Sequence, residues 1–336
     1  MRALVLSRFG LDGLALETRP DPIPGAGEVA IKVGAVTLNR RDLLLVEGIY
    51  NPKQRFPLVP ATDCAGTVTA LGPGVTDWAV GDRVVPAFFP DWLDGEPTMA
   101  KLMSSRGAHG GDGVLAETVI FPANAVAKVP AHLSFAEAAS LPCAGLTAWS
   151  GLVTHGGLKA GDTVLVQGTG GVSVFALQFA KMLGARVIAT TSSDEKAALA
   201  RALGADHVIN YRTEVNVVEA LRQLCPRGFD HIIEVGGAQT LDAALRTIRP
   251  GGVISLIGVL SGPIAPLNLP LAVMRRVRLQ GVTVGSMVEF KAMLGAIEEH
   301  KLKPVVGASF AFDHAVEAFS AMKSNSVFGK IAVTLS

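Results

Sequence analysis

Three glycines stand at a turn where the chain would be able to bind a phosphate group. Gly168, Gly170 and Gly171 follow Thr163–Gln167, an apolar, β-branched run typical of a strand buried on both faces. A helix that begins directly after such a turn offers free backbone N–H groups and a positive dipole end, which suits the pyrophosphate of a dinucleotide. Ser173 stands where the third glycine of this motif usually lies. An ordinary strand–helix turn is therefore the alternative.

The end of the next predicted strand, Arg186–Thr190, bears on which dinucleotide would bind. NAD-binding versions of the motif place an Asp or Glu about 20 residues after the glycines, where it accepts hydrogen bonds from the ribose 2′-OH. Here Ser192 and Ser193 follow the strand, Lys196 lies in the first turn of the next helix, and Tyr211–Arg212 follow the third strand. Hydroxyl groups and a cation suit a 2′-phosphate, which a carboxylate would repel. NADPH is predicted in preference to NADH, and a solvated surface charge is the alternative role for the lysine and arginine.

Strand-like and helix-like patterns alternate around the glycine turn. The predicted strands are Thr163–Gln167, Arg186–Thr190, His207–Ile209, Asp230–Val235, Val253–Ile257 and, at the edge, Gly281–Val284. The other predicted elements are a long helix opened by a Ser134–Glu137 capping box and reaching Trp149, helices over 172–182, Glu195–Leu203, Val217–Leu224 and Leu241–Ile248, and a turn over Arg249–Gly252. This alternation predicts an α/β domain over residues 125–287, a doubly wound parallel sheet with helices on both faces.

A dinucleotide bound to such a sheet lies outside the carboxyl ends of the strands. The glycine turn and the loops after the later strands are therefore the expected contacts. These cofactor-binding candidates are Gly168, Thr169, Gly170, Gly171, Val172, Val235, Gly236, Gly258, Val259 and Leu260.

Residues 1–124 and 288–336 are predicted to form a second, β-rich domain. Its strand-like stretches, separated by Gly and Pro, are Ala3–Leu6, Val29–Leu38, Gly66–Ala70, Arg83–Ala87, Leu115–Phe121 and Gly329–Leu335. Asn39 is a predicted N-cap, with Asp42 at the third position of a short helix. The segment Phe88–Gly113 shows no period, and loops of that length usually serve as lids or binding loops. His109 lies in this loop and is expected to be solvated.

Composition excludes several kinds of partner. The 30 Lys and Arg against 29 Asp and Glu give a net charge of +1 without long runs of one sign, so neither nucleic acid nor an anionic membrane is an expected partner. No apolar run approaches the roughly 20 residues of a membrane span, and the first residues have too brief an apolar core for a signal peptide. Three separated cysteines form neither a disulfide framework nor a structural zinc cluster. A cytoplasmic location is expected.

Further motifs carry a resemblance over essentially the whole chain. They are Asn39–Asp42, Gly48-x-Tyr50, Pro57–Gly66, Leu71–Val75, Val80–Val84, Leu141–Thr147, the glycine turn and Phe328–Lys330. In this order they resemble the medium-chain dehydrogenase/reductase superfamily, and most of all its quinone oxidoreductases and zinc-type alcohol dehydrogenase-like proteins. The resemblance implies a GroES-like catalytic domain, a Rossmann domain and an active site in the cleft between them.

The resemblance also shows which zinc ligands are missing. Zinc alcohol dehydrogenases carry Cys where this chain has Asn39, and a His-Glu pair where it has Thr62 and Asp63. Their third ligand is a Cys at the position of Cys143, which is retained. Catalytic zinc normally takes three protein ligands, so no zinc is expected, and Cys143 is predicted to be a small buried residue. A zinc site with atypical ligands, among them Asp63, is the alternative.

By resemblance, several residues receive roles at the reaction site. Asn39 is expected near the nicotinamide ribose or the substrate, Tyr50 is expected to donate to the substrate oxygen, and Asp63 is a candidate for orienting a cleft residue. Capping for Asn39 and packing for Tyr50 are the alternatives. Further residues are expected to contact or close over the nicotinamide, namely Thr147, Val284, Gly285, Ser286, Phe328, Gly329 and Lys330.

Without a Lewis acid, the expected substrate is one that spreads the developing negative charge. A quinone or an α,β-unsaturated carbonyl does so, whereas a simple ketone develops full alkoxide charge. We therefore expect an NADPH-dependent reductase of quinones, enones or enals. A zinc-dependent alcohol dehydrogenase and an NADPH-binding protein with little turnover are the alternatives. By analogy with quinone reductases, a homodimer is expected through the edge strand of the Rossmann sheet, Leu279–Val284.

Overall fold

The structure, a computed structural model, describes residues 1–108 and 111–335. The predicted role of His109 lies outside the described residues. The chain divides into two compact units. Unit 1 combines Met1–Leu146 with Gly285–Ser336, and unit 2 is Thr147–Val284.

The strands and helices are numbered here in chain order. The strands are β1 Arg2–Leu6, β2 Leu14–Thr18, β3 Glu28–Leu38, β4 Asp63–Leu71, β5 Arg83–Pro86, β6 Thr118–Pro122, β7 Val126–Lys128, β8 Thr163–Gln167, β9 Arg186–Thr191, β10 His207–Asn210, β11 Phe229–Glu234, β12 Ile248–Leu256, β13 Arg278–Gly281, β14 Val306–Ala311 and β15 Lys330–Thr334. The α-helices are α1 Arg40–Val46, α2 Met99–Leu102, α3 Phe135–Ala139, α4 Leu146–Trp149, α5 Gly171–Met182, α6 Asp194–Ala202, α7 Val217–Leu224, α8 Leu241–Thr247, α9 Leu269–Met274, α10 Met287–Glu299 and α11 Ala315–Ser324.

Unit 1 is built on an antiparallel sheet. Its strand order is β14-β15-β3-β4-β5-β7, with β6 paired to β3, and β1 and β2 form a separate hairpin. The predicted return of the C-terminal strand is confirmed, because β15 pairs antiparallel with β3, placing Ile331 opposite Leu38. Aliphatic side chains from β1, β3, β4 and β15 form one core with Phe121 and Phe319.

The boundary between the units differs from the predicted one. Residues 125–146 were assigned to the Rossmann domain, but β7 pairs with β5, and α3 packs on β3 and β4. At the other boundary Met287 N donates to Trp92 O at 2.9 Å, which attaches the start of α10 to unit 1. A three-residue strand such as β7 is too short to show a period in the sequence.

The helix opened by Ser134 is interrupted. The predicted capping box forms, since Ser134 N donates to Glu137 Oε2 at 2.7 Å. However, α3 ends at Ala139, and the turns from Leu141 to Gly145 are π-helical. Pro142 has no N–H for the ordinary helical hydrogen bond, so a continuous α-helix to Trp149 is not formed.

Unit 2 confirms the predicted doubly wound sheet. In order β10-β9-β8-β11-β12-β13, every neighbouring pair is parallel. Because β8 lies between β9 and β11, the chain reverses its direction of winding beside the glycine turn, which is where such sheets bind ligands. Two details differ from the prediction. Arg249–Gly252 lies inside β12 as a bulge opposite β11, and the edge strand ends at Gly281.

Candidate cofactor and catalytic sites

The glycine turn in unit 2 has the geometry of a phosphate-binding turn. Gly168 has φ +73°, a left-handed conformation that residues with side chains rarely adopt. α5 begins at Gly171 without a side-chain cap, so its amino end keeps backbone N–H groups for an anion. A Cβ on Gly170 would meet nothing within 4 Å. The turn therefore leaves space for a pyrophosphate at the helix end.

Ser173 has a definite role in place of the third glycine. Its side chain is buried, and Oγ donates a 2.7 Å hydrogen bond to the carbonyl of Gln167 at the end of β8. The serine thus joins α5 to β8 and allows the close packing for which the motif usually uses glycine.

A buried carboxylate that sequence reasoning missed organises the neighbouring loop. Glu234, at the end of β11, is fully buried and accepts hydrogen bonds from Gln167 Nε2 at 2.7 Å and from Thr240 Oγ1 at 2.5 Å. It also accepts from the backbone N–H groups of Gly236 and Gly237 at 2.8 and 2.9 Å. Glu234 therefore joins the ends of β8 and β11. The sequence shows an acid near the end of a predicted strand, but only the fold shows that this strand lies beside β8.

The loops after β11 and β12 contact each other through their backbones. A Cβ on Gly258 would lie 2.4 Å from the carbonyl oxygen of Val235, so only glycine fits there. Val259 and Leu260, both predicted cofactor contacts, expose more than half of their surface at 55% and 60%. They are available to a ligand of unit 2.

At the tip of β9 the structure places Ser193, Lys196 and Arg212 together. Ser193 is the N-cap of α6, and its Oγ accepts from Lys196 N at 3.3 Å. Burial lowers the pKa of Lys196, and the positive charge of Arg212 lowers it further against the opposing effect of Glu195. The backbone of Tyr211 also lies at this tip, because its N–H donates to Thr191 O at 2.9 Å. Two cations and a serine therefore lie at the tip of β9, together with Asp194 and Glu195, the acidic residues that open α6.

The residues expected at the nicotinamide belong to both units. Thr147 and Val284 are buried residues of unit 2, and Gly285, Ser286, Phe328, Gly329 and Lys330 belong to unit 1. The hydroxyl of Ser286 is already used, because it caps α10 with Glu289. Gly329 has φ +80° and packs against Val305 O, where a Cβ would lie 2.6 Å away.

In unit 1 the positions of the missing zinc ligands meet in a hydrogen-bonded chain. Lys330 Nζ donates to Asn39 Oδ1 at 2.6 Å and to Leu38 O at 2.9 Å. Asn39 Nδ2 donates to Thr62 Oγ1 at 3.1 Å, and Thr62 Oγ1 donates to Asp63 Oδ1 at 2.9 Å. The second oxygen of Asp63 accepts from Cys143 N at 3.0 Å. We call Lys330, Asn39, Thr62 and Asp63 the Lys330–Asp63 relay.

The relay is buried and carries opposite charges at its ends. Lys330 is 3% exposed and Asp63 0%. Burial raises the pKa of Asp63, and the Lys330 ammonium is the strongest influence that opposes this rise. Burial, and next to it the charge of Asp63, raises the pKa of the Cys143 thiol. Burial also raises the pKa of Asp42 to about 6, although its carboxylate accepts from Asn39 N at 2.8 Å.

These residues do not fit a zinc ion. The relay offers an amide, a hydroxyl and one carboxylate, and its ammonium bonds directly to the amide oxygen. Among the usual zinc-ligand types this leaves one carboxylate and the thiol of Cys143, whereas catalytic zinc normally takes three protein ligands. Within residues 1–108 and 111–335, three or more His, Cys, Asp or Glu side chains nowhere form a group able to hold a metal ion.

The side chain of Tyr50 contacts Arg41, which is not a member of the Lys330–Asp63 relay. Its side chain is 44% exposed and stacks on the guanidinium of Arg41, whose Cζ lies 4.6 Å from the ring centroid. Arg41 also lies 5.3 Å from the Phe88 ring. The phenol of Tyr50 therefore lies at the surface of unit 1 beside the guanidinium of Arg41.

Comparisons with known proteins agree with this architecture. Residues 25–131 match the family model of the alcohol dehydrogenase GroES-like domain, and residues 171–299 match that of the zinc-binding dehydrogenase. A zinc-type alcohol dehydrogenase-like protein of Schizosaccharomyces pombe is 40% identical over 316 residues, covering 92% of this chain and 91% of its own. Among solved structures, an NAD-dependent alcohol dehydrogenase is 35% identical, with both chains covered completely and a TM-score of 0.91.

Another similar structure is a mycobacterial protein complexed with NADPH, 30% identical over the whole of both chains with a TM-score of 0.82. Other similar proteins are named quinone oxidoreductase and acryloyl-coenzyme A reductase. The chain belongs to the medium-chain dehydrogenase/reductase superfamily and is an oxidoreductase of that superfamily with a nicotinamide-cofactor domain. In the part of the chain that the structure describes, no helix has the length and apolarity to cross a membrane.

Proposed function

We propose that this oxidoreductase uses NADPH to reduce a quinone or an α,β-unsaturated carbonyl without a metal ion. The observation that carries the proposal is the Lys330–Asp63 relay. At three positions where zinc alcohol dehydrogenases have metal ligands, this chain has Asn39, Thr62 and Asp63, which are joined by hydrogen bonds to one another and to the ammonium of Lys330.

The relay restricts the chemistry that the site favours. When bound, the nicotinamide supplies the hydride. A ketone that accepts it would concentrate charge on one oxygen, where a metal ion is worth several kcal/mol. A conjugated acceptor spreads the same charge, so hydrogen-bond donors and correct positioning suffice. We assign Asn39 to the reacting end as a fixed amide and Tyr50, which is exposed beside Arg41, as a donor to the substrate oxygen.

The preference for NADPH rests on the tip of β9. Arg212 lies close enough to Lys196 for its positive charge to lower the pKa of the lysine. Two neighbouring cations are stabilised by a 2′-phosphate, and no carboxylate follows β9 at Ser192 and Ser193 to repel it. One similar solved structure is named an NAD-dependent alcohol dehydrogenase, and another is complexed with NADPH. The kinetic constants of this enzyme with NADPH and with NADH should therefore be compared directly.

We further propose a cytoplasmic homodimer that pairs through β13. In unit 2, β13 is the last strand of its sheet. The adjacent helix α9 has no buried residue, and Leu269, Val273 and Met274 are 62%, 71% and 79% exposed. An unpaired strand edge beside exposed apolar side chains favours association with a second copy.

The function is tested with purified protein and a substrate panel. NADPH oxidation is followed with a series of quinones, enones and enals, and alcohol oxidation is followed with NADP and NAD. Turnover of conjugated acceptors with NADPH supports the proposal. Alcohol oxidation as the dominant activity supports the zinc-dependent alternative, and tight NADPH binding with negligible turnover across the panel supports a binding protein. Tyr50→Phe tests the donor role, which requires a lower kcat/KM.

A further inference from the structure

We propose that Lys330 is a positioning residue that acts as an internal cation at the reaction site of unit 1. This inference rests on the proposed function and concerns how its site is held. The ammonium lies beside Asn39, a position that carries a metal ligand in zinc alcohol dehydrogenases, and it acts through Asn39 rather than on the substrate. Lys330 was expected to contact the cofactor. In this proposal its ammonium instead donates to Asn39 and to the carbonyl of Leu38 inside unit 1.

The direction of the hydrogen bonds is the first argument. An ammonium group donates only, so the Asn39 atom that it contacts at 2.6 Å must be the carbonyl oxygen. The amide NH₂ of Asn39 is then turned toward Thr62. The Thr62 hydroxyl, which accepts from Asn39, has its own hydrogen left for the carboxylate of Asp63. Lys330 thereby determines which way the Asn39 amide faces.

Charge balance is the second argument. Lys330 and Asp63 are both buried, and breaking such a pair leaves one uncompensated charge in a low-dielectric interior. The two groups are joined by two neutral side chains rather than in direct contact. Because each hydrogen bond in the series polarises the next, loss of the ammonium weakens the whole chain.

The connections of the relay are the third argument. Lys330 is the first residue of β15, Asn39 follows β3, and Asp63 begins β4. Asp63 also accepts from the backbone N–H of Cys143, in the π-helical turns four residues before Thr147. One ammonium therefore fixes three strand ends and the segment that leads to a residue expected at the nicotinamide.

The test compares Lys330→Met, Asp63→Asn and the double variant with the wild-type chain. Lys32→Met is the matched control, because Lys32 lies exposed on β3 of the same sheet. We expect Lys330→Met to lower kcat/KM about 100-fold, as a misplaced reacting group does. The Kd for NADPH, measured by fluorescence titration, stays at the wild-type value. Lys32→Met leaves both quantities unchanged.

Thermal unfolding gives a readout that does not need activity. Each single variant lowers Tm, and the double variant recovers part of the loss, because it removes both buried charges. In Lys330→Met, Asp63 loses the cation that opposes its raised pKa, so Tm falls more steeply as pH rises than in the wild type. The double variant lacks this added pH dependence.

The outcomes separate the relay from the proposed function. If the wild type turns over no conjugated acceptor, the function fails, while the thermal cycle still tests the relay. Additive Tm losses, or an unchanged kcat/KM in a folded Lys330→Met variant, overturn the relay. A loss of NADPH affinity equal to the loss in kcat/KM also overturns it, since that result makes Lys330 a cofactor contact.

Discussion

Lys330 Nζ and Asn39 Oδ1 lie 2.6 Å apart although 291 positions separate the two residues in the chain. The pairing of β15 with β3 brings them together, because the strand that begins at Lys330 runs antiparallel to the strand that ends just before Asn39. The bond places a cation of the C-terminal strand beside a predicted catalytic residue near the N-terminus. The metal-free chemistry proposed here depends on this contact.

A carboxylate at the tip of β9 should change the cofactor preference. In Ser192→Asp the new charge would repel a 2′-phosphate and accept hydrogen bonds from a free ribose 2′-OH. We expect the ratio of kcat/KM for NADPH over NADH to fall by about tenfold or more, equal to about 1.4 kcal/mol. Steady-state kinetics with both cofactors measure this ratio. Glu214→Asp, an exposed acid exchanged for another, is the control, and an unchanged ratio in Ser192→Asp contradicts the 2′-phosphate assignment.

Substitutions at two glycines of the turn should have different effects, one on folding stability and the other on NADPH affinity. Gly168→Ala forces a side chain into φ +73°, which costs roughly 1–2 kcal/mol of folding free energy. A Cβ on Gly170 meets open space and the residue has a negative φ, so Gly170→Val avoids the backbone strain of Gly168→Ala while its side chain occupies the room for the pyrophosphate. We expect NADPH binding to weaken by more than about tenfold, or 1.4 kcal/mol. Calorimetric titration and thermal unfolding distinguish the two effects, and wild-type NADPH affinity in Gly170→Val would refute the placement.

Asp42 should make the protein less stable as the pH rises. Its folded-state pKa is about 6, above the ordinary value of 3.8, so the folded state holds the proton more tightly than the unfolded chain does. The contribution is present below pH 3.8 and is lost as the pH rises through about 6, with a magnitude of roughly 3 kcal/mol at most. Asp42→Asn should remove this part of the pH dependence, measured by urea unfolding from pH 4 to 7.

The matched control for that experiment is Asp77→Asn, which changes an exposed acid in the same unit. It should keep the wild-type slope of unfolding free energy against pH. An identical slope in Asp42→Asn and the wild type would show that this carboxyl does not titrate as its burial implies.

Negative charges introduced on α9 should dissociate the proposed homodimer into monomers. Val273→Glu combined with Met274→Glu puts two carboxylates on side chains that are 71% and 79% exposed. Desolvating them in an interface is costly, whereas in a free surface they are solvated. We expect a dimer for the wild type and a monomer for this variant by light scattering. Val215→Glu, at a fully exposed valine of the same unit, should remain dimeric. A wild-type monomer refutes the interface.

The local patterns of the sequence were sufficient for most of unit 2. β8, the glycine turn and α5 follow from an apolar run, three glycines and a helical period, and each lies where it was predicted. These signals are local, because the residues that define each element are neighbours in the chain. The bulge at Arg249–Gly252 was predicted as a turn, since Pro and Gly mark both kinds of irregularity.

The contacts that organise the two candidate sites were not predictable in the same way. Glu234 and Gln167 end different strands, and their hydrogen bond depends on which strands are neighbours. The bond between Lys330 and Asn39 depends on the register of β15 on β3, which no local period records. Resemblance identified the positions of Asn39 and Asp63, but their connection through Thr62 to a buried lysine is a property of the fold.

We propose that the enzyme reduces its substrate without a metal ion, and treatment with a zinc chelator tests this proposal. The purified enzyme is analysed for metal content, treated with a strong zinc chelator, and assayed for NADPH-dependent reduction of a quinone and an enal. We predict far less than one zinc per chain and the same kcat/KM before and after treatment. One zinc per chain, together with an activity that chelation abolishes and added zinc restores, would show instead that the reduction depends on zinc.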